Sequence, residues 1–379
     1  MIKLGIDNID KYLDFFKGKR VGLITNPTGL TSDCVSTIDF LKEKVNLVAL
    51  FSPEHGVRGH MQAGVRFDTY IDEETGITVY SLYTKDKRPT KEMLDNIDVL
   101  CIDIQDAGSR FYTFIYTMAY AMQACALHDK EFVVFDRPNP VNASSYEGNI
   151  LDINYRSFVG YYPIVQRHGL TMAELAKMFN EEFGINCKLT NILMEGYDRE
   201  QYYDETGLLW VLPSPNFPTI NTAIVYNATC IFEGTNISEG RGTTMPFEYV
   251  GAPFIDGKAL EEKLNSLNLP GVYFRRQYFT PTFSKFKDEV CYGVQVHVLD
   301  RKTFLPVKTG WAMLDVIRHM YPNDFKISKP YKEGGNCMLQ FNTGCNYIME
   351  DRYTLEEQFE ILDRETKEFT DLRNKYLLY

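Results

Sequence analysis

The sequence is short of positive charge. Lys and Arg total 40 against 51 Asp and Glu in 379 residues, giving a net charge of −11 and a pI near 5.2. A duplex-binding surface replaces phosphate counterions with Lys and Arg. Here the longest basic cluster, TKDKRPTKE (84–92), carries acids as well. Nucleic acid and anionic membranes are therefore not expected as partners. No apolar run is long enough to span a bilayer. The N-terminus MIKLGIDNIDKYLDFF is too polar and interrupted for the apolar stretch of a signal peptide. The chain as written is expected to be soluble and cytoplasmic, or secreted or periplasmic if a leader has been removed. The eight cysteines include no C-x-x-C and no paired zinc spacing. Several sit inside apolar runs, which favours buried free thiols and a reducing compartment. Also missing are G-x-G-x-x-G, the phosphate loop G-x-x-x-x-G-K-[ST] and the G-x-S-x-G elbow. No nucleotide cofactor and no serine-elbow chemistry are expected.

What is present is a globular composition, 44% hydrophobic and 24% charged, in a chain longer than one core ordinarily absorbs. The aromatic content of 14% serves core packing for the most part, with a surplus able to line a sugar- or ring-binding cleft. In the first half, apolar runs alternate with helical spacing. RVGLITN, VNLVALFS, TVYSLY, DVLCIDIQ and EFVVFDRPNP read as strands, and CVSTIDFLKEK, EMLDNI and FIYTMAYAMQACALHDK read as helices. Continuous apolar strands alternating with helices imply a parallel sheet covered on both faces. A helix at TMAELAKMFNEEF, with Thr171 and Glu174 as a capping box, and a strand near CKLTNILME extend it. LPSPNFPTI (212–220), with three prolines, is the expected hinge. Beyond it, GVYFRRQYFTPTF and YGVQVHVLD read as strands among helices such as TGWAMLDVIRHMY. The prediction is an α/β protein: a Rossmann-like, parallel-sheet domain over 1–220 and a smaller α+β domain over 221–379 that closes a cleft.

Ligands of open parallel sheets bind at the carboxyl ends of the strands. The loops there read NPTG (26–29), SPEHGVRG (52–59), QDAGSRFYT (105–113) and DRPNP (136–140). All are polar and all follow an apolar strand, so all four are expected on one rim. Glu54, after Pro53 at a strand end, is either a general acid raised by partial burial or a surface residue capping the next turn. Asp103, Asp106 and Arg110 are either an acid–base pair orienting a loop or a carboxylate-binding clamp. In DRPNP, Arg137 reads as structural, and Asp136 and Asn139 as ligand contacts. His55 and His60 lack the helical i, i+4 spacing of a zinc motif. A hydrolase using them with Asp106 around a metal stays as an alternative, and no metal is the primary expectation. The Gly-rich segment FEGTNISEGRGTTMPFEYVGAP (232–253) supplies Glu233, Asn236, Glu239, Arg241 and Thr243. A glycine-rich backbone beside Arg can approach an anion; the plainer reading is a long surface loop.

Taken in order, GLITNPTG, SPEHGVRG, DIQDAGSRFYT, DRPNP and the EGTNISEGRGTT-PFE--GAP block resemble the signature blocks of the bacterial NamZ-type exo-β-N-acetylmuramidases. The likeness runs from about Gly5 through the C-terminal region. It implies a Rossmann-like N-terminal domain, a smaller C-terminal domain and a pocket between them. The implied activity is release of N-acetylmuramic acid from the non-reducing end of peptidoglycan fragments, including the muramyl–glucosamine disaccharide, whether for cell-wall recycling or scavenging. It places the catalytic glutamate at Glu54 and implies no dinucleotide. Many members carry a secretion signal, which this sequence does not show. Glycoside hydrolysis needs a second group opposite the acid, with Asp106, Glu233 and Glu239 as candidates, or a substrate-assisted route through the 2-acetamido group. Arg110 or Arg241 would bind the lactyl carboxylate. Asn26, His55, Arg58, Tyr112, Asp136, Asn139, Asn236 and Thr243 complete the expected substrate contacts. The rival without catalysis is a binder of wall-derived muramyl sugars.

Overall fold

The computed structural model describes residues 2–53, 56–58, 69–82 and 86–379. The apolar runs become β1 (Val21–Thr25), β2 (Leu47–Ser52), β4 (Thr78–Ser81), β5 (Val99–Asp103), β6 (Glu131–Phe135) and β7 (Lys188–Ile192). A two-residue strand, β3 (Tyr70–Ile71), is added at the edge. The sheet order is β3-β4-β2-β1-β5-β6-β7. Every pairing is parallel except β3 with β4. β1, β5 and nearly all of β6 are buried residue for residue, as central strands covered on both faces must be. β1 has β2 on one side and β5 on the other, so the chain reverses direction across the sheet there. That switch point is where an open parallel sheet leaves a crevice.

Alternating side chains feed two cores. Leu23, Leu50, Cys101, Val133 and Phe135 face Ile6 and Ile9 of the N-terminal helical turns and Ile38 and Leu41 of the Thr37–Lys44 helix. Ile24, Phe51, Ile102, Phe132 and Val134 face the other way, into a core with the Phe114–Leu127 and Met172–Glu181 helices. The second helix begins with the expected capping box of Thr171 and Glu174. Seven of the eight cysteines are buried, and Cys34 is exposed; all are free thiols. Burial pushes the Cys101 thiol well up, consistent with packing and not with a nucleophile.

The C-terminal half carries an antiparallel sheet ordered β8-β10-β9, formed by β8 (Tyr249–Ala252), β9 (Val272–Phe279) and β10 (Cys291–Val298). The second core runs on into this half through Val294, Val296 and Trp311. Two buried carboxylates fasten the halves at helix starts, where backbone N–H groups lack partners. Glu147 accepts from the N–H groups of Val307 (3.2 Å) and Lys308 (2.8 Å) at the start of the Pro306–Met320 helix. Asp136 accepts from Ala173 N–H (2.8 Å), the Thr171 hydroxyl (2.8 Å) and the hydroxyl of Tyr379 (2.7 Å). Burial pushes both carboxyls up to about 7, the Asp136 value against the pull of those donors. Among the described residues no helix is long and apolar enough to cross a membrane.

Candidate functional site

The loop after β5 leads away from the switch point into a cavity of about 250 Å³ between the two halves. Several parts of the chain build it, Phe158 and Val159 among them. Phe111, Tyr112 and Thr113 come from the β5 loop; Ser214, Asn216 and Phe217 come from the proline-rich connection; and Tyr226, Cys230, Glu233, Arg241 and Asn342 come from the C-terminal half. The expected hinge is thus a cavity wall. Phe217 is buried, with its ring 5.1 Å from Tyr112, 4.7 Å from Tyr226 and 5.8 Å from Phe247. Those packed rings make an apolar floor under the polar groups, the usual composition of a small-molecule site.

The charged wall is a chain of four groups. Arg241 donates from Nε to Glu233 Oε1 at 3.2 Å, with Nη2 on the same oxygen, and lies 3.3 Å from Glu239 Oε1. Lys285 Nζ holds the other Glu239 oxygen at 2.8 Å, and also the carbonyls of Phe232 (2.7 Å) and Ile237 (2.9 Å). Burial works against the Arg241 charge, but the Glu233 and Glu239 carboxylates overcome it and hold its proton more tightly than usual. Glu239 is sealed at 3% exposure, whereas Glu233 keeps 25% and lines the cavity. Two carboxylates and two cations leave no net charge on the cluster. The segment 232–253 is accordingly no long surface loop. It begins in a helical turn, Cys230–Gly234, and ends in β8. Gly234 is needed there, because a Cβ would lie 2.4 Å from the backbone nitrogen of Leu339.

Of the residues expected at the site, Tyr112, Glu233 and Arg241 line the cavity and Glu239 braces it. Glu54 and His55, with His60, lie outside the described residues, though β2 delivers the chain to the rim as far as Ser52 and Pro53. Others are corrections. Asp136 and Asn139 are buried and spent on the fold. Asn139 donates to Leu170 O (2.9 Å) and accepts from Val141 N–H (3.1 Å). Asn26 closes its own turn by accepting from Thr28 N–H at 2.9 Å. Arg58 pairs with Asp72 (3.0 Å) and Glu74 (3.0 Å). Asn236 bridges to Asp324 O and Lys326 N–H, and Thr243 donates to Gly240 O within its turn. Arg137 is structural as expected, in a buried pair with Asp103 at 2.6 Å.

Asp106 is buried behind the cavity. Its Oδ2 accepts from Gly108 N–H (2.7 Å) and meets His168 Nε2 at 3.2 Å, while Oδ1 has no hydrogen-bond partner among the described residues. Leu170 N–H donates to His168 Nδ1 (3.2 Å), which puts the ring proton on Nε2. Asp106 is thus engaged by His168 and does not line the cavity. The described residues with metal-ligand spacing are Asp315, His319 and Asp351, also outside the cavity, where Arg318 already pairs with Asp351 at 2.9 Å.

Arg110 departs furthest from expectation. It is fully buried and donates to four backbone carbonyls: Asn149 (2.7 Å), Ile164 (2.9 Å), Asn342 (3.3 Å) and Thr343 (2.6 Å). The last two belong to the end of the Met338–Thr343 helix, where orphan carbonyls favour a cation. Burial pulls the Arg110 pKa down to about 10. The side chain rivets the β5 loop to the C-terminal half and cannot clamp a substrate carboxylate. Arg110→Met is expected to lose several kcal/mol, at about 1–3 kcal/mol for each buried acceptor left without a donor. Urea melts measure this. Where the variant stays folded, its ligand preference should be unchanged; a selective loss on carboxylate-bearing ligands would restore the clamp.

Comparison with known proteins bears on this architecture. The family profile described as exo-beta-N-acetylmuramidase NamZ, N-terminal, matches residues 21–221, and its C-terminal counterpart matches 224–379. The chain belongs to the NamZ family. It is 50% identical to the peptidoglycan beta-N-acetylmuramidase NamZ of Bacillus subtilis (strain 168), over 100% of this chain and 91% of that one. Crystal structures of two DUF1343 family proteins from Bacteroides fragilis share the fold. One has a TM-score of 0.90 at 38% identity and the other 0.80 at 30%, each covering 100% of this chain and 99% of its own. The Rossmann-like and α+β halves expected from the sequence are therefore a NamZ arrangement, and the residues sequence reasoning missed are the ones NamZ topology brings from afar. Ser214, Asn216 and Phe217 were hidden in a segment read as a hinge. Tyr226 and Asn342 carry no local signal, and neither does Lys285, 46 residues from the Glu239 it holds.

Proposed function

We propose that this chain is an exo-β-N-acetylmuramidase, a glycoside hydrolase that releases terminal N-acetylmuramic acid from the non-reducing end of peptidoglycan fragments. The observation that carries this is the 50% identity, along the whole chain, to a peptidoglycan β-N-acetylmuramidase. The cavity is in keeping with it. At about 250 Å³ it falls below the roughly 300–1,000 Å³ of drug-sized sites, a size suited to one sugar and not to a chain. In this reading Glu54 protonates the glycosidic oxygen as the bond to the next sugar breaks. Glu233 is the second group in this reading, a carboxylate that can activate water, act as nucleophile or orient the 2-acetamido group. Arg241 supplies the cation nearest the lactyl carboxylate, and Tyr112 with Tyr226 supplies ring surface under the sugar.

A chromogenic aryl β-N-acetylmuramide, incubated with and without chelator, tests the proposal. Release of the aryl group, unaffected by chelator, is the expected result. Binding of the muramide without release would make the protein a muramyl-sugar binder. Loss of turnover on chelation would move the chemistry to a metal.

A further inference from the structure

Phe158 and Val159 line the cavity and are half-buried, so they stand where it meets solvent. Lys87 Nζ lies 4.5 Å from the centre of the Phe158 ring. The Tyr120 ring packs 5.6 Å from Phe158 and 5.0 Å from Tyr161. Arg88 sits over Tyr120 at 4.9 Å and Arg156 over Tyr161 at 4.7 Å. Three cations from two segments of the chain thus meet on one set of rings beside the cavity. Burial pushes the Tyr120 phenol up, and the charges of Arg88 and Arg156 both pull it back, so both reach the same ring. An aromatic face holds a cation without cancelling its charge, as a carboxylate would. Arg88 and Arg156 are exposed, and among the described residues neither has an ion-pair partner. Asp152, the acid nearest before Arg156 in the chain, accepts from Asn154 N–H (2.9 Å) instead. The inner wall is balanced differently. There Arg241 and Lys285 are matched by Glu233 and Glu239, so it offers an anion contacts but no net attraction. The chain as a whole, at −11, repels one.

We propose that Arg88 and Arg156, with Lys87, select a carboxylate-bearing end sugar by drawing it electrostatically to the cavity. The proposal rests on reading the chain as an exo-muramidase. The lactyl carboxylate is the one charge on N-acetylmuramic acid, and N-acetylglucosamine, otherwise alike, has none. A positive rim discriminates between the two before any close contact is made. Such attraction reaches about 8–10 Å at moderate salt and fades as salt rises, so the rim needs no hydrogen bond to the sugar. The carboxylate takes no part in bond breaking and carries the same charge in the ground state and the transition state. The rim therefore acts on capture of the substrate and leaves the chemical step alone.

The test compares wild type with the double variant Arg88→Gln, Arg156→Gln, at exposed positions where substitution spares the core, and with Arg88→Lys, Arg156→Lys, which keeps both charges. Each is assayed on an aryl β-N-acetylmuramide and on its lactyl methyl ester, which is neutral. At low salt the Gln variant is expected to raise KM for the acid roughly 2–10-fold with kcat unchanged, and to leave the ester unaffected. The difference from wild type should close at about 0.5 M salt, and the Lys variant should behave as wild type. A KM that does not move in the Gln variant, that moves equally on acid and ester, or whose shift survives high salt overturns the rim. So does a Lys variant as impaired as the Gln variant. Titration calorimetry with N-acetylmuramic acid and N-acetylglucosamine gives a readout that does not depend on turnover. Weakened binding of the acid alone in the Gln variant supports the rim even if no muramide is cleaved, in which case the hydrolase reading fails separately. Equal weakening of both sugars, or acid binding that is absent in wild type or undiminished in the Gln variant, overturns it.

Discussion

Glu54→Gln is expected to lower kcat/KM on the muramyl–glucosamine disaccharide by about 10²–10⁴-fold with little change in melting temperature. The amide matches the carboxyl in size but has no proton to give the departing sugar oxygen. That oxygen becomes a poorly stabilised alkoxide unless protonated as the bond breaks, so the natural substrate carries the full deficit. A nitrophenyl muramide leaves as a stable phenolate and needs little protonation. The deficit should therefore shrink on the aryl substrate. The alkaline limb of the wild-type pH profile, where the acid has lost its proton, should vanish in the variant. An equal deficit on both substrates would assign Glu54 to another step, and full activity would remove it from the reaction. β2 pairs directly with β1 and ends at Ser52.

The fold was legible where one rule dominates. Strands buried on both faces need unbroken apolar runs, and β1, β5 and β6 show them. Tyr70–Ile71 is too short to leave any pattern. The rim was legible because loops after parallel strands share one edge. What could not be read was the destination of each polar side chain on it. A folded chain must satisfy its buried carbonyls and helix ends. Arg110, Asp136 and Asn139 do that work with the residue types a ligand site would also use. Sequence shows an Arg after a strand; only the fold shows that its partners are the carbonyls of Asn342 and Thr343, more than 230 positions away. Glu233 and Glu239 look equivalent in the sequence for a similar reason. Lys285 closes one of them off and leaves the other on the cavity.

That difference makes Glu233→Gln the sharpest test of the second catalytic group. If Glu233 acts on the sugar, kcat should fall by about 10²–10⁴-fold, while KM for muramyl substrates should fall too. The second effect follows from charge. With Glu233 ionised, the cluster of Glu233, Glu239, Arg241 and Lys285 is neutral; with Gln it carries one positive charge beside the cavity. The anionic lactyl group is then bound more tightly in the ground state, without help to the transition state. A substrate lacking the lactyl group should lose kcat without the gain in KM. Glu239→Gln is the contrast. It leaves Lys285 without its carboxylate in a largely enclosed site, so a change in stability should exceed any direct change in the chemical step. Azide adds a direct readout: turnover restored to Glu233→Ala with formation of a glycosyl azide would place Glu233 at the anomeric carbon, and the product's anomeric configuration would distinguish a nucleophile from a base. Unchanged kcat in Glu233→Gln would clear this residue and leave the substrate-assisted route through the 2-acetamido group.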